Sequence, residues 1–173
     1  MTDFIADALR APAPEAADAA RRFAERAAAE GVADLAYATT DSPLGELLLV
    51  SGPRGLTRLA YIDGELDALL DELAQTRSPR IVASTTTLDP WRRELDEYFG
   101  GHRRDFGAPL DWAQMAPFQR RILRATAAIP YGNVSSYRAV AADAGSPRGF
   151  RAAGNALGAN PLPIVVPCHR VLH

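Results

Sequence analysis

The apolar positions divide the chain into three stretches, 1–34, 35–111 and 112–173. Residues 3 to 30 are rich in Ala, Glu, Asp and Arg, and Phe4, Ile5, Ala8, Leu9 and Phe23 make a thin helical stripe broken at Pro12 and Pro14. One or two helices ending at Gly31 are predicted, forming a solvated packing extension, because charge runs on helices mark exposed faces. The segments Leu35 to Thr40, Gly45 to Ser51 and Gly55 to Tyr61 read as strands, with Ser42-Pro43 and Gly52-Pro53 as turns between them. Helical spacing follows over Glu65 to Gln75 and over Pro90 to Phe99. The second of these is expected to start at an Asp89 cap with Pro90 in first position and to end at Gly100-Gly101. Strands followed by helices give the class, a small α+β domain.

From Trp112 the pattern is one of short helices. Pro117 to Ala127 places Phe118, Ile122, Leu123 and Ala127 on one face, with Gln119, Arg120, Arg121 and Arg124 on or beside the other. Pro130-Tyr131-Gly132 breaks the chain, and Ser135 or Ser136 caps a helix running to about Ala144. After the turn Gly145-Ser146-Pro147 a second helix spans roughly Gly149 to Gly158, making a helix-turn-helix candidate. This second helix is poor in bulk. Small residues there serve either tight helix packing or close approach to another surface, with Arg151 as the one long side chain at its front. Last comes Ile164-Val165-Val166, short, β-branched and bracketed by Pro161, Pro163 and Pro167. It reads as a brief buried extended segment that delivers Cys168 on a stiff turn.

Charge changes this picture more than length does. The formal net charge is only −2, yet Trp112 to His173 carries seven arginines against one acid, Asp143, while the remainder holds twelve arginines and twenty acids. A basic segment joined to an acidic one suggests a polyanion partner for the basic part. A single cysteine cannot form an internal disulfide, which fits a reducing, cytoplasmic location. No apolar run reaches the roughly 18 residues of a membrane span, and the acidic N-terminus is unlike a signal peptide. His102-Arg103-Arg104 reads as a solvated loop; with no cysteine or second histidine nearby, a metal site is not expected there.

A lone cysteine is commonly a buried hydrophobe. Cys168 has His169 beside it, and an imidazole near a thiol helps form the nucleophilic thiolate, which is only a few per cent populated in an ordinary cysteine at neutral pH. The pentapeptide Pro167-Cys168-His169-Arg170-Val171 resembles the active-site signature of the O6-alkylguanine-DNA alkyltransferases. The likeness runs upstream through Asn160-Pro161, Arg151-Ala152-Ala153-Gly154, Ser136-Tyr137-Arg138 and Tyr131-Gly132. It is weaker from Tyr37 to Leu110, where Tyr37 to Val50 looks like that family's first hairpin.

The resemblance implies a ribonuclease-H-like domain over 35–111. It also implies an all-helical, winged-helix-like DNA-binding domain over 112–173, with the helix-turn-helix. It implies a monomer that binds double-stranded DNA containing alkylated guanine, has no membrane or cofactor requirement, and moves the alkyl group irreversibly from O6-alkylguanine or O4-alkylthymine to Cys168. In that scheme His169 takes the thiol proton through a water and Asn160 braces the turn. Tyr137 crowds the flanking phosphate and donates to N3 of the flipped base. Arg151 fills the gap in the base stack, and Ser136, Arg138, Ala152 and Gly154 line the DNA-binding face. The family continues beyond this stretch with a Gly-rich loop and a glutamate-bearing helix, so the resemblance also implies an active site left C-terminally incomplete at His173. Two alternatives stand beside this one. One is a non-catalytic protein that binds alkylated DNA and flips the base but transfers nothing, because the C-terminal part of its active site is missing; Cys168 argues against it. A cysteine hydrolase would need a histidine facing the thiol and an orienting Asn or Asp.

Overall fold

The computed structural model describes residues 14–64 and 66–172. The stripe formed by Phe4, Ile5, Ala8 and Leu9, the break at Pro12, and Glu65 and His173 lie outside them. The elements in chain order are α1 (Pro14–Ala29), β1 (Leu35–Thr40), β2 (Leu47–Gly52), β3 (Gly55–Tyr61), α2 (Leu66–Thr76), β4 (Ile81–Ala83), α3 (Thr85–Phe99), α4 (Pro117–Ala127), β5 (Ser135–Ser136), α5 (Tyr137–Asp143), α6 (Phe150–Gly158), a 3₁₀ turn (Cys168–Arg170) and β6 (Val171–Leu172).

The first half is a four-stranded sheet in the order β3-β2-β1-β4, antiparallel except for the parallel pair β1 and β4. Its centre is β2, whose Leu47-Leu48-Leu49-Val50 run is completely buried. A strand apolar at every position must be covered on both faces. Leu48 and Val50 pack with Leu73 of α2 on one side, and Leu47 and Leu49 with Leu88, Trp91 and Leu95 of α3 on the other. The second cluster continues without a break into Ile122, Leu123, Val140, Ala153 and Leu157, so the helical half shares one core with the α3 face of the sheet. Backbone bonds add to that union: Leu59 N–H donates to the Pro161 carbonyl at 2.9 Å. Where β3 begins, Gly55 (φ 120°) passes so close to Pro109 that a Cβ would lie 2.0 Å from its carbonyl oxygen.

Several expectations need correction. The sequence pattern does not predict β4, because three residues at a sheet edge carry no readable alternation. Helix α3 starts five residues earlier than expected, at Thr85 instead of Pro90. Its cap is Ser84, whose hydroxyl accepts from Thr87 N–H, and Pro90 lies inside the helix. Asp89, the expected cap, instead pairs with Arg92. Tertiary structure favours the Ser84 start. Glu25 of α1 accepts hydrogen bonds from the hydroxyls of Ser84 and Thr85 and from Thr86 N–H, placing a carboxylate where the exposed amides of the first turn and the helix dipole favour it. The extension is therefore docked on β4 and α3 through α1, although Phe23 stays exposed.

In the His102-Arg103-Arg104 loop His102 and Arg104 are exposed, as expected, and Arg103 is half-buried. Arg103 is held by Glu94 and Glu97, and Arg104 lies over the Tyr131 ring. Among the described residues no helix is long and apolar enough to cross a membrane.

Candidate active site

The helix-turn-helix forms as the spacing predicts. Ser136 caps α5, accepting from Ala139 N–H. The helix ends in a Schellman arrangement: Gly145 (φ 73°) donates to Ala142 and Ser146 to Ala141. Gly149 then passes against Ser146, where a Cβ would meet Oγ at 2.6 Å. Helix α6 buries Ala153, Ala156 and Leu157 and exposes Arg151, Ala152, Asn155 and Gly158. Its inner small residues pack on the core, as the tight-packing reading has it, and the outer set leaves a low surface behind Arg151. Ser136, Tyr137, Arg138, Phe150, Arg151 and Gly154 line one open concavity of about 580 Å³.

The segment before the cysteine is buried as expected but is not extended. Residues 163–165 form a turn in which Ile164 takes φ 71°, the one positive φ among the described non-glycine residues. Val165 N–H donates back to Pro163, making a γ-turn centred on Ile164, and Val166 N–H donates to Leu162. A β-branched residue in this region is strained. Burial of Ile164, 6% exposed, and these two bonds hold it there.

A second γ-turn follows at once. Pro167 (φ −80°, ψ 66°) is its centre, and Cys168 N–H donates to the Val166 carbonyl at 2.8 Å. The same carbonyl accepts from Asn160 Nδ2 at 2.9 Å, while Asn160 Oδ1 accepts from Leu162 N–H at 3.0 Å. Asn160 therefore ties both ends of the loop together.

Two further contacts seat the turn. Val171 and Leu172 pair in parallel with Ser135 and Ser136, the residues that lead into Tyr137. This ladder corrects the all-helical expectation, and it is what brings the Tyr137 end of α5 to the Cys168 turn. Arg170 donates to the Ile129 carbonyl at 2.9 Å, reaches the Tyr98 hydroxyl of α3 at 3.4 Å, and lies over the Tyr131 ring. Arg170 carries no motif that assigns these contacts; its place beside Cys168 and His169 is the available signal.

Cys168 is half-buried, and His169 is exposed. Partial burial of the imidazole, then the neighbouring Arg170 charge, hold His169 below the usual histidine pKa. The arginines of this half differ from those before it. Every ion pair among the described residues lies before Trp112, so none of Arg120, Arg121, Arg124, Arg138, Arg148, Arg151 and Arg170 has a carboxylate partner. Arg121 donates to the Ala144 carbonyl and Arg124 lies over Trp112. No group of three or more His, Cys, Asp or Glu side chains among the described residues could hold a metal ion.

Residues 35–112 match the profile of the 6-O-methylguanine DNA methyltransferase ribonuclease-like domain, and residues 117–173 match that of its DNA binding domain. The chain belongs to the 6-O-methylguanine DNA methyltransferase family. The constitutive methylated-DNA–protein-cysteine methyltransferase of Bacillus subtilis (strain 168) is 39% identical over 136 residues, covering 79% of each chain. A methylated-DNA–protein-cysteine methyltransferase of Mycolicibacterium paratuberculosis is 39% identical over 136 residues, 79% of this chain and 77% of that one. The crystal structure of Mycobacterium tuberculosis O6-methylguanine methyltransferase superposes with a TM-score of 0.69 at 33% identity, covering 80% of this chain and 78% of that one. A crystal structure of M. tuberculosis OGT in complex with DNA gives 0.65 at 34% identity, over 79% and 78%.

Within this family member, the Asn160 bonds give a direct prediction. Asn160→Ala leaves Leu162 N–H without its partner and the Val166 carbonyl with one donor, and should lower stability by about 1–3 kcal/mol in urea unfolding. Asn160→Asp keeps the acceptor for Leu162 but turns a carboxylate oxygen toward the Val166 carbonyl, so it should be destabilised as well. Unfolding midpoints unchanged in both variants would mean that the turn holds without Asn160.

Proposed function

We propose that this protein repairs double-stranded DNA by direct reversal, taking the alkyl group from O6-alkylguanine or O4-alkylthymine onto Cys168. The thiol proton passes to His169. The thiolate sulfur attacks the alkyl carbon, a C–S bond forms, the O6–C bond breaks, and its electron pair leaves with the guanine. A proton then restores neutral guanine, and the thioether stays on the protein, so each chain acts once.

The observation that carries the reading is a juxtaposition on one rigid unit. A thiol with an adjacent imidazole sits on a turn fixed by Asn160, and the ladder joins that turn to a groove whose arginines lack carboxylate partners. Those arginines supply the sequence-independent attraction to phosphates. The exposed small face of α6 suits a minor groove only about 6 Å wide. An alkylated base inside a duplex must be flipped out to reach Cys168, at a cost of a few kcal/mol. Tyr137 at the start of α5 and Arg151 at the start of α6 both line the groove and assist, the first as donor to the departing purine and the second as filler of the vacated stack. Ser136 and Arg138 serve the flanking backbone, and Ala152 and Gly154 let the strand approach.

The test is loss of O6-methylguanine from a duplex oligonucleotide, followed by nucleoside mass analysis. Wild-type protein should convert the lesion to guanine in molar proportion to protein and then stop. Cys168→Ser should convert none while binding the same duplex. Binding without conversion by the wild type would favour a non-catalytic reader of alkylated DNA. Conversion by Cys168→Ser would remove the assigned nucleophile.

Neutral imidazole is the form that accepts the thiol proton. Because the folded pKa of His169 lies below the ordinary value, the ring stays neutral as pH falls through about 6.5 and charges only at lower pH. The single-turnover rate should therefore show no histidine break near pH 6.5 and should drop in a more acidic range. His169→Gln should be slow throughout and lack that drop. A break at or above 6.5 would contradict the assignment.

A further inference from the structure

The groove holds one residue that the reaction scheme leaves unused. Phe150 is the first residue of α6 and remains 36% exposed at the groove wall. Two guanidinium groups converge on its ring: Arg138 from α5, with its central carbon 5.4 Å from the ring centroid, and Arg151 from α6, at 5.9 Å. Both separations lie within the range of cation–π attraction. Neither arginine has a carboxylate partner among the described residues, so the negative face of this ring is the compensation available to two like charges held close together. Arg151 also sits in the first turn of α6, where the helix dipole disfavours a cation. Left to itself, a long arginine there would sample many rotamers, and ordering it on DNA would carry that entropy cost.

We propose that Phe150 is a positioning residue for base flipping: its ring holds Arg151, with Arg138, at the groove mouth, so that the arginine is already extended toward the duplex when the damaged base leaves. This inference rests on the function proposed above. It assigns Phe150 no contact with the reacting atoms, and it requires the π face of the ring, not only its apolar bulk.

The experiment compares two substrates across ring variants. Phe150→Ala and Phe150→Leu should both slow transfer from an O6-methylguanine duplex by about 5- to 30-fold, the combined effect of two exposed cation–π contacts. Both should react with free O6-benzylguanine, which needs no flipping, at the wild-type rate; that reaction also shows that the variants are folded. Phe150→Tyr and Phe150→Trp should restore duplex transfer. In a double-mutant cycle, Phe150→Ala should cost far less once Arg151→Ala is present, because the two act together.

Full duplex activity in Phe150→Leu would overturn the proposal in favour of an apolar wedge or plain packing. Equal slowing on both substrates would overturn it in favour of a structural role. Wild-type protein that reacts with free O6-benzylguanine and whose duplex rate is unaffected by Phe150→Ala would overturn this inference alone. Wild-type protein that reacts with neither substrate would overturn the proposed function along with it.

Discussion

The carbonyl of Val166 accepts two hydrogen bonds, from Asn160 Nδ2 and from Cys168 N–H, and the position of Cys168 depends on that oxygen. A cysteine two residues past a buried apolar run has many available turns. Pro167 removes most of them by fixing φ, and the paired donors select one. The arrangement forces Ile164 into a conformation that a β-branched residue resists, at a cost of about 1–3 kcal/mol. That strain persists because Leu162 and Val166 are fully buried on either side of it. Stability is thus given up locally to present a half-buried thiol with a defined backbone, and the shared core meets the cost.

The same turn is anchored from outside its own loop. Ser135 and Ser136 pair with Val171 and Leu172, so the chain leading into α5 and the chain leaving the cysteine are joined by backbone hydrogen bonds. Arg170 crosses to Tyr98 on α3 and to the Ile129 carbonyl, and Leu59 of β3 donates to Pro161. The sheet half contributes no nucleophile or base in the proposed reaction. Its part is to provide a wall, centred on the fully buried Leu47 to Val50 of β2, against which the loop from Asn160 to Val171 is set.

Much of this was legible in the sequence because local and tertiary preferences agreed. Leu47 to Val50 lies within the segment read as a strand, Gly45 to Ser51, and is one. Ser136 could cap a helix, and Gly145 could end one. The sequence misled where two local solutions competed. Asp89-Pro90 and Ser84 are both acceptable helix starts, and Glu25, 59 residues away along the chain, favours Ser84. Ile164-Val165-Val166 has strand propensity, but the flanking prolines and Asn160 impose turns. The clustering of Arg138 and Arg151 on Phe150 was not legible, because it depends on how α5 and α6 cross. The link between Tyr137 and Cys168 reached the sequence reading only through resemblance; its physical cause is a two-residue parallel ladder too short to leave a pattern.

In the proposed reaction the alkyl group ends on Cys168. Protein mixed with a duplex containing O6-methylguanine, then digested and mapped by mass spectrometry, should carry a gain of about 14 Da, one methyl replacing the thiol hydrogen, on the peptide containing Cys168 and on no other. The increment should survive denaturation and reach one per chain at excess DNA. A methyl group found on another residue, or repaired DNA with an unmodified Cys168 peptide, would contradict it.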